Sequence, residues 1–395
     1  MTNALIHREM SDYLSDMFHY LPVITLTGPR QSGKTTICRT VFPELPYTNF
    51  EDLSTLAEAQ SDPKAFLAKF PQGVIIDEAH NFPEIFSYLQ VEVDKDRMED
   101  RDRHFIVTGS SNFSLMQRIT QSMAGRTAIV SLLPLSTREI LANYQKVSSS
   151  ELLLRGGYPA VWKSDIRGRQ ILLSNYYTTY IERDIRSLIN IKDLQAFQTF
   201  IRLAAGRIGQ EFNASSLSIE VGVSVPTIKN WLSVLKASYV VYLLHPYYAN
   251  IGKRLTKTPK LYFYDTGLAT FLLGINSIEQ LDVHPLRGSL MENLVVNDIV
   301  KQGCNRGCEE NIFFYRDKSQ HEVDILRMLS DGSLEAYEIK SGMTYNADYF
   351  RHLRYLKTLL GDRLKRTMLL YDGEEENFKD IDGYCNYRNL NLEPL

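Results

Sequence analysis

No run of 18 apolar residues occurs anywhere in the 395-residue chain, and its opening MTNALIHREM lacks the apolar stretch of a secretory leader. A helix that crosses a bilayer needs about 20 such residues, so we expect a cytoplasmic protein with no membrane partner. Cysteine is scarce: Cys38, Cys304, Cys308 and Cys385. The pair Cys304 and Cys308 hints at an iron–sulfur cluster, but a cluster wants four thiolates, and Cys38 lies in a helix-like stretch behind a glycine-rich loop. Thiols in a reducing compartment are the simpler reading. Excess charge is lacking too. At a formal −3 the chain has no global basicity, so any nucleic-acid partner must be met by a local patch. Internal repeats and low-complexity tracts are missing as well.

What is present falls into three stretches. Residues 1–147 alternate short apolar runs with helical patterns, as a parallel α/β sheet does. Strands are predicted at Val23–Thr27, Tyr47–Phe50, Val74–Asp77, Phe105–Thr108 and Thr127–Leu133. A dense charge run from Glu92 to His104 reads as a solvated helix end or loop. Ser148-Ser149-Ser150 reads as a linker, and residues 148–284 as a helical middle broken at Gly156-Gly157-Tyr158-Pro159. Beyond it lie a helix-turn-helix and a hairpin. Residues 285–395 return to α/β, with strands near Asn311–Tyr315, Val323–Met328, Leu334–Ile339 and Thr367–Tyr371.

The first apolar strand runs into Gly28-Pro29-Arg30-Gln31-Ser32-Gly33-Lys34-Thr35, followed by Thr36. Two glycines let the backbone turn tightly and aim N–H groups at phosphate oxygens. Lys34 supplies a cation to the β- and γ-phosphates, and the Thr35 hydroxyl is suited to Mg²⁺. The helix beginning at Lys34 adds its positive end. The alternative, a glycine turn without nucleotide, does not account for the strand before it and the helix after it. Gly73-Val74-Ile75-Ile76-Asp77-Glu78 delivers two carboxylates to the carboxyl end of a buried strand, where open α/β sheets bind ligands. Asp77 is expected to hold Mg²⁺ through water, and Glu78 to orient the attacking water. The letters Asp77-Glu78-Ala79-His80 also spell a helicase box, but such helicases need a second tandem nucleotide fold that is not found here.

Three further features complete the reading. Phe105-Ile106-Val107-Thr108 ends in Gly109-Ser110-Ser111-Asn112, which resembles the sensor strand of AAA-type ATPases, with Ser110 or Ser111 as the polar contact. Arg126, in Met123-Ala124-Gly125-Arg126, resembles an arginine that reaches a neighbour's γ-phosphate. It could equally be a surface arginine paired with an acid. Arg183 is a second finger candidate.

Residues 213–236, NASSLSIEVGVSVPTIKNWLSVLK, pattern as a helix-turn-helix, with Pro226 in the first turn of the second helix. From Gln195 to Asp265 eight Lys and Arg face three acids, a local charge of +5. That favours DNA contact through Lys229, Lys236, Lys253, Arg254 and Lys257; the other reading is a protein-binding module.

In the tail, Glu338 and Lys340 are two apart and share a strand face, with Asp324 on the neighbouring strand and Glu292 on a helix. Two carboxylates and a lysine suit a Mg²⁺-dependent nuclease. The plainer reading is a strand with alternating solvent-facing charges.

Taken in order, GPRQSGKTT, VIIDEAH, VTGSSN, AGR, GGYPAVW, YIERDI, YFYDTGLA, ENLVV, EVDIL and EIKSG resemble one group of bacterial and archaeal proteins. These join an AAA-type ATPase core to a C-terminal domain of PD-(D/E)XK restriction-endonuclease-like character. The resemblance implies an AAA-type P-loop core with a parallel sheet, a helical and winged-helix middle, and a C-terminal α/β restriction-endonuclease-like domain. It also implies ATP and Mg²⁺ as ligands and a homo-oligomer. The expected activity is ATP hydrolysis acting on DNA; an ATP-controlled nuclease and a nucleotide switch for a protein partner are the alternatives.

Overall fold

The computed structural model describes residues 5–109, 123–185, 193–247 and 258–392. The chain forms two compact units. The first holds Met1–Leu135 with Ala237–Tyr239 and Cys304–Cys308; the second holds Ser136–Lys236, Val240–Gly303 and Glu309–Leu395.

In the first unit, β1 (Val23–Thr27), β2 (Tyr47–Asn49), β3 (Gly73–Asp77), β4 (His104–Thr108) and β5 (Thr127–Ser131) form one sheet in the order β2-β3-β4-β1-β5. Every pairing is parallel. The helices are α1 (Met10–Met17), α2 (Lys34–Val41), α3 (Leu53–Ser61), α4 (Pro63–Ala68) and α5 (Ile85–Glu99). Both sheet faces are covered, so the strands are apolar at successive positions. Alternation then sorts them: Val74, Ile76, Phe105 and Val107 join the cluster of α3, α4 and α5, while Ile75, Ile106, Ile24 and Leu26 join that of α1 and α2. This arrangement brings β1 between β4 and β5, so the P-loop at its end lies beside the acidic end of β3 and the polar end of β4.

The second unit begins with α6 (Thr137–Asn143), α7 (Ser149–Arg155), α8 (Pro159–Trp162) and α9 (Ile166–Tyr176), which runs into a π-helical segment, Tyr177–Ile185. Next come α10 (Leu194–Ala205), α11 (Ala214–Val221), α12 (Val225–Ala237) and the antiparallel pair β6 (Val241–Leu244) and β7 (Lys260–Phe263). Then α13 (Thr266–Leu272), α14 (Ile278–Asp282) and α15 (Arg287–Asn305) lead to β8 (Ile312–Arg316), β9 (Glu322–Met328) and β10 (Leu334–Ile339). After α16 (Arg351–Leu360) come β11 (Leu364–Tyr371) and β12 (Gly383–Asn386). The five strands lie in the order β12-β11-β10-β9-β8. β8, β9 and β10 pair antiparallel; β10, β11 and β12 pair parallel, making a mixed sheet.

Two local expectations need correction. Ser148-Ser149-Ser150 is a helix start and not a linker: the Ser148 side chain accepts from Glu151 N–H, and Ser149 and Ser150 are buried. Serine is favoured at such caps because its oxygen satisfies an orphan amide. The charge run is not wholly solvated either. Arg103, 5% exposed, donates to Asp96, 4% exposed, at 2.8 and 3.0 Å and to Glu92 at 2.6 Å. Here a row of charges hides an internal ion triad at the foot of β4.

GGYPAVW and YFYDTGLA mesh directly. The buried Asp265 carboxylate accepts Gly157 N–H at 2.6 Å and Leu268 N–H at 2.7 Å. A β-carbon on Gly156 would lie 2.4 Å from that carboxylate.

Gly73 marks the tightest approach in the parallel sheet: it has φ +102°, and an added β-carbon would sit 1.7 Å from the His104 carbonyl oxygen. Gly222, φ +79°, has open space around it. Urea unfolding should therefore show Gly73→Ala destabilised by roughly 3 kcal/mol or more, through clash and strain together. Gly222→Ala should lose only about 1–2 kcal/mol from the left-handed backbone. Equal losses would contradict the sheet geometry.

Candidate functional site

The loop between β1 and α2 has the backbone its sequence demands. Gly28 (φ +137°), Gln31 (φ +61°) and Gly33 (φ +100°) all take positive φ. The start of the loop presses on the chain just after β5: a β-carbon on Gly28 would fall 2.3 Å from the Leu132 carbonyl. Lys34, 6% exposed, folds back over the loop and donates to the carbonyls of Gly28 at 3.1 Å and Pro29 at 2.9 Å. Burial pushes its ammonium pKa down, and the charges of Glu78 and Asp77 oppose this. Pro29 is buried, Arg30 half-buried, and Gln31 and Thr36 are exposed at the rim. The Ser32 hydroxyl is fully buried within the loop and has no hydrogen-bond partner. An orphaned donor inside an anion cradle fits a phosphate ligand.

Asp77 is the convergence point. One carboxylate oxygen accepts the Thr35 hydroxyl at 2.7 Å and the Tyr47 hydroxyl at 2.8 Å; the other accepts the Thr108 hydroxyl. The Thr35–Asp77 pair is the donor set that would hold Mg²⁺, directly and through water. Glu78 sits in the left-handed region at φ +54°. That conformation is uncommon outside glycine and turns a side chain away from the strand line. Burial would raise its carboxyl pKa, yet the His80 imidazole at 2.9 Å and the Lys34 charge hold it down at about 2. Glu78 is thus an anion at neutral pH, aimed beside the phosphate loop.

A residue that no motif pointed to braces this loop. Arg8, 7% exposed, donates to the Ser32 carbonyl at 2.8 Å and the Leu133 carbonyl at 2.7 Å. It ties the loop to the chain leaving β5 across 24 and 125 residues of sequence.

Arg126 forms a two-pronged pair with Asp94, at 2.7 and 2.8 Å. Ser110 and Ser111 lie outside the described residues, and so does the Arg183 side chain; Arg183 itself belongs to the π-helical segment.

In the second unit, α11 and α12 form a helix-turn-helix closed by Gly222 at φ +79°. Ile228, Trp231, Leu232 and Leu235 are buried, with Trp231 against Phe197 and Phe200 of α10. Lys229 and Lys236 are seven apart on the opposite, exposed face of α12. Lys253, Arg254 and Lys257 lie outside the described residues. The summed charge of this segment overstates its surface. Lys260 is 2% exposed and bound to Glu292 at 2.9 Å and Glu322 at 2.5 Å. Arg207 is held by both oxygens of Glu220.

The tail brings Asp324, Glu338 and Lys340 together. The β9–β10 register pairs Tyr337 with Ile325, so Glu338 and Asp324 follow as neighbours on one face. Asp324 accepts Ile339 N–H at 2.8 Å, and Lys340 contacts Glu338 at 2.6 Å. Burial and then the Asp324 charge raise the Glu338 carboxyl pKa. Its second oxygen is buried without a hydrogen-bond partner, an acceptor suited to a cation. Glu292, offered as a third oxygen, is otherwise engaged: Lys260 and the Tyr262 hydroxyl, at 2.5 Å, both donate to it. Among the described residues no group of three or more His, Cys, Asp or Glu is arranged around a metal. The cluster is therefore two carboxylates and a lysine, flanked by a Lys260–Glu292 pair.

Comparison with known proteins finds matches along three stretches of the chain. Residues 21–141 match the AAA domain family, and residues 146–279 and 287–389 match two domains of unknown function, DUF8612 and DUF4143. The uncharacterized protein Rv2008c of Mycobacterium tuberculosis is 31% identical over 371 residues, covering 93% of this chain and 80% of that protein. The chain belongs to the same family as Rv2008c. An uncharacterized protein of Haemophilus influenzae is 24% identical over 97% of both chains. Among solved structures, the Walker-type ATPase PABY2304 of Pyrococcus abyssi shares 16% identity over 68% of this chain and 96% of that chain, at a TM-score of 0.41. The match over residues 21–141 marks an AAA-type P-loop domain in this chain, and the mixed sheet lies in its second unit.

Arg8 supplies the prediction for this site. Arg8→Ala leaves two buried carbonyls without donors, at roughly 1.5–3 kcal/mol for hydrogen bonds to a charged group. Thermal unfolding should fall accordingly. Arg8→Lys should recover less than half the loss, because one ammonium cannot replace a planar fork spanning two acceptors. Full recovery with lysine would remove the clamp role.

Proposed function

We propose that this protein binds and hydrolyses ATP and applies that cycle to DNA, as a remodelling or translocating AAA-type ATPase. The observation that carries the ATPase reading is the convergence of Thr35, Thr108 and Tyr47 on Asp77, with strained, ionised Glu78 next to it. On this reading Lys34 releases the loop carbonyls and turns to the β- and γ-phosphates. Ser32 and the loop amides donate to phosphate oxygens. Thr35 and Asp77 would hold Mg²⁺, which would supply charge neutralisation at the phosphates. Glu78 orients the attacking water through its ionised carboxylate, which the contact with His80 keeps aimed.

The DNA reading rests on α12, whose exposed face carries Lys229 and Lys236 on the second helix of a helix-turn-helix. That helix is the one which commonly enters the major groove. With the β6–β7 hairpin after it, the segment has the order of elements of a winged helix. A ring of subunits would put Arg126 to use only after it leaves Asp94, so Arg126 and Arg183 remain the two finger candidates of a homo-oligomer.

A second reading concerns the tail. Asp324 on β9, Glu338 on β10 and Lys340 just after β10, within the order α15, β8, β9, β10, α16, β11, support a PD-(D/E)XK nuclease-like reading. It supports a divalent-cation site for DNA cleavage.

ATP turnover measured with single-stranded, duplex and branched DNA tests the first reading. Lys34→Ala should abolish tight ATP binding. Glu78→Gln should bind ATP but turn over about 10²–10⁴-fold more slowly. DNA should stimulate the wild type, and Lys229→Ala with Lys236→Ala should weaken that stimulation. Turnover indifferent to every DNA would redirect the function to a protein partner. Nicking in Mg²⁺ or Mn²⁺ that disappears in both Asp324→Ala and Lys340→Ala, while ATPase survives, is the signature required of the nuclease reading.

A further inference from the structure

The nucleotide unit includes three residues far removed in sequence, Ala237–Tyr239. They begin with the last residue of α12, and the chain then returns to the second unit at Val240, one residue before β6. Seven non-glycine residues among those described have positive φ. Gln31 and Glu78 belong to the nucleotide site, and Asp100, Lys146, Gln320 and Asp382 are small or flexible polar residues. Tyr239, at φ +53°, is the one aromatic among them.

The reason for that backbone is the end of α12. Val240 N–H donates to the Leu235 carbonyl at 2.9 Å, the six-to-one bond of a Schellman ending, which requires a left-handed residue just before it. Glycine normally fills that place because it has no β-carbon to strain. A tyrosine there is held against its backbone preference, and such outliers point to a side chain with work elsewhere.

The Tyr239 hydroxyl reaches the base of the phosphate loop. It lies 2.8 Å from the Ser131 hydroxyl and 3.3 Å from the Thr27 hydroxyl. Those two are themselves 3.1 Å apart, and Thr27 also bonds the Val130 carbonyl at 3.1 Å. Thr27 is the last residue of β1 and precedes Gly28, whose carbonyl holds Lys34. Ser131 ends β5, and the next residue, Leu132, is the one against which Gly28 is pressed. The hydroxyl trio thus sits where β1 and β5 deliver the two sides of the loop.

We propose that Tyr239 is a positioning residue that couples the second helix of the helix-turn-helix to the nucleotide loop. A rigid helix ending in a fixed turn moves its capping residue with it. Displacing α12 therefore displaces the Tyr239 hydroxyl against Thr27 and Ser131, and nucleotide that orders the loop restrains α12 in return, since coupling between two sites is reciprocal. The proposal rests on nucleotide binding at the P-loop and is independent of what the helix-turn-helix binds.

The test compares the full-length wild type, Tyr239→Phe and Tyr239→Gly, each with Glu78→Gln to halt turnover. Phenylalanine removes only the hydroxyl; glycine restores the usual turn residue, so the helix ending survives. ATP binding is titrated directly, and hydrogen exchange of residues 225–240 is followed with and without ATP and Mg²⁺. In the parent, ATP should slow exchange there by about fivefold or more; in both variants the ratio should fall below about twofold. A helix that does not respond to bound ATP in the parent, or that responds equally in both variants, overturns the coupling. A parent that fails to bind ATP overturns instead the nucleotide reading beneath it.

Discussion

One carboxylate organises the first unit. Asp77 stands at the end of a strand buried on both faces, where an ionised group must be compensated in place. Its partners are hydroxyls from α2, from the start of β2 and from the end of β4. Each partner is an oxygen donor without charge of its own, so the site stays anionic and ready for a cation. Each also ties a different element to β3. The strand order β2-β3-β4-β1-β5 is what permits this, since it puts β4 between the acidic strand and the P-loop strand. Lys34 folded onto its own loop and Glu78 held beside His80 are consequences of the same placement.

A second theme is how many charges are settled within the chain. The Glu92–Asp96–Arg103 triad, the Arg126–Asp94 fork and the Lys260 pairings with Glu292 and Glu322 all occur in segments that look like solvated or ligand-binding charge on paper. The same holds for Arg327, fully buried between Glu310 and Glu335 in the tail sheet. Removing one partner of such a buried pair is far more damaging than the net value of the pair, because the survivor keeps its desolvation penalty. Local charge sums are poor guides to a binding surface for this reason. Lys229 and Lys236 on α12 are exposed, whereas Lys260 on β7 is an internal strut.

Backbone strain is placed selectively. Gln31 and Glu78 take positive φ at the nucleotide site, and Tyr239 does so at the end of α12. These positions are held by their surroundings: a glycine-rich turn for Gln31, the end of a packed strand for Glu78, and a helix-terminating hydrogen bond for Tyr239. Strain that is over-determined in this way fixes side-chain direction more firmly than a flexible loop could.

Chain order alone determined the phosphate loop, the paired acids Asp77 and Glu78, the helix-turn-helix and the positions of nearly every strand. These depend on period-two and period-3.6 patterning and on turn residues at fixed short spacing, which act over a few residues. Strand β12 escaped notice because its four residues, Gly383–Asn386, are too few for a pattern to accumulate. Tertiary structure alone decided the rest. Arg8 grips carbonyls 24 and 125 residues away, and Tyr239 meets hydroxyls 108 and 212 residues away. Glu292 meets Lys260, 32 residues before it, through one carboxylate oxygen. Whether a polar side chain is a ligand or a strut depends on which buried group it must neutralise, and that is set only when distant segments pack.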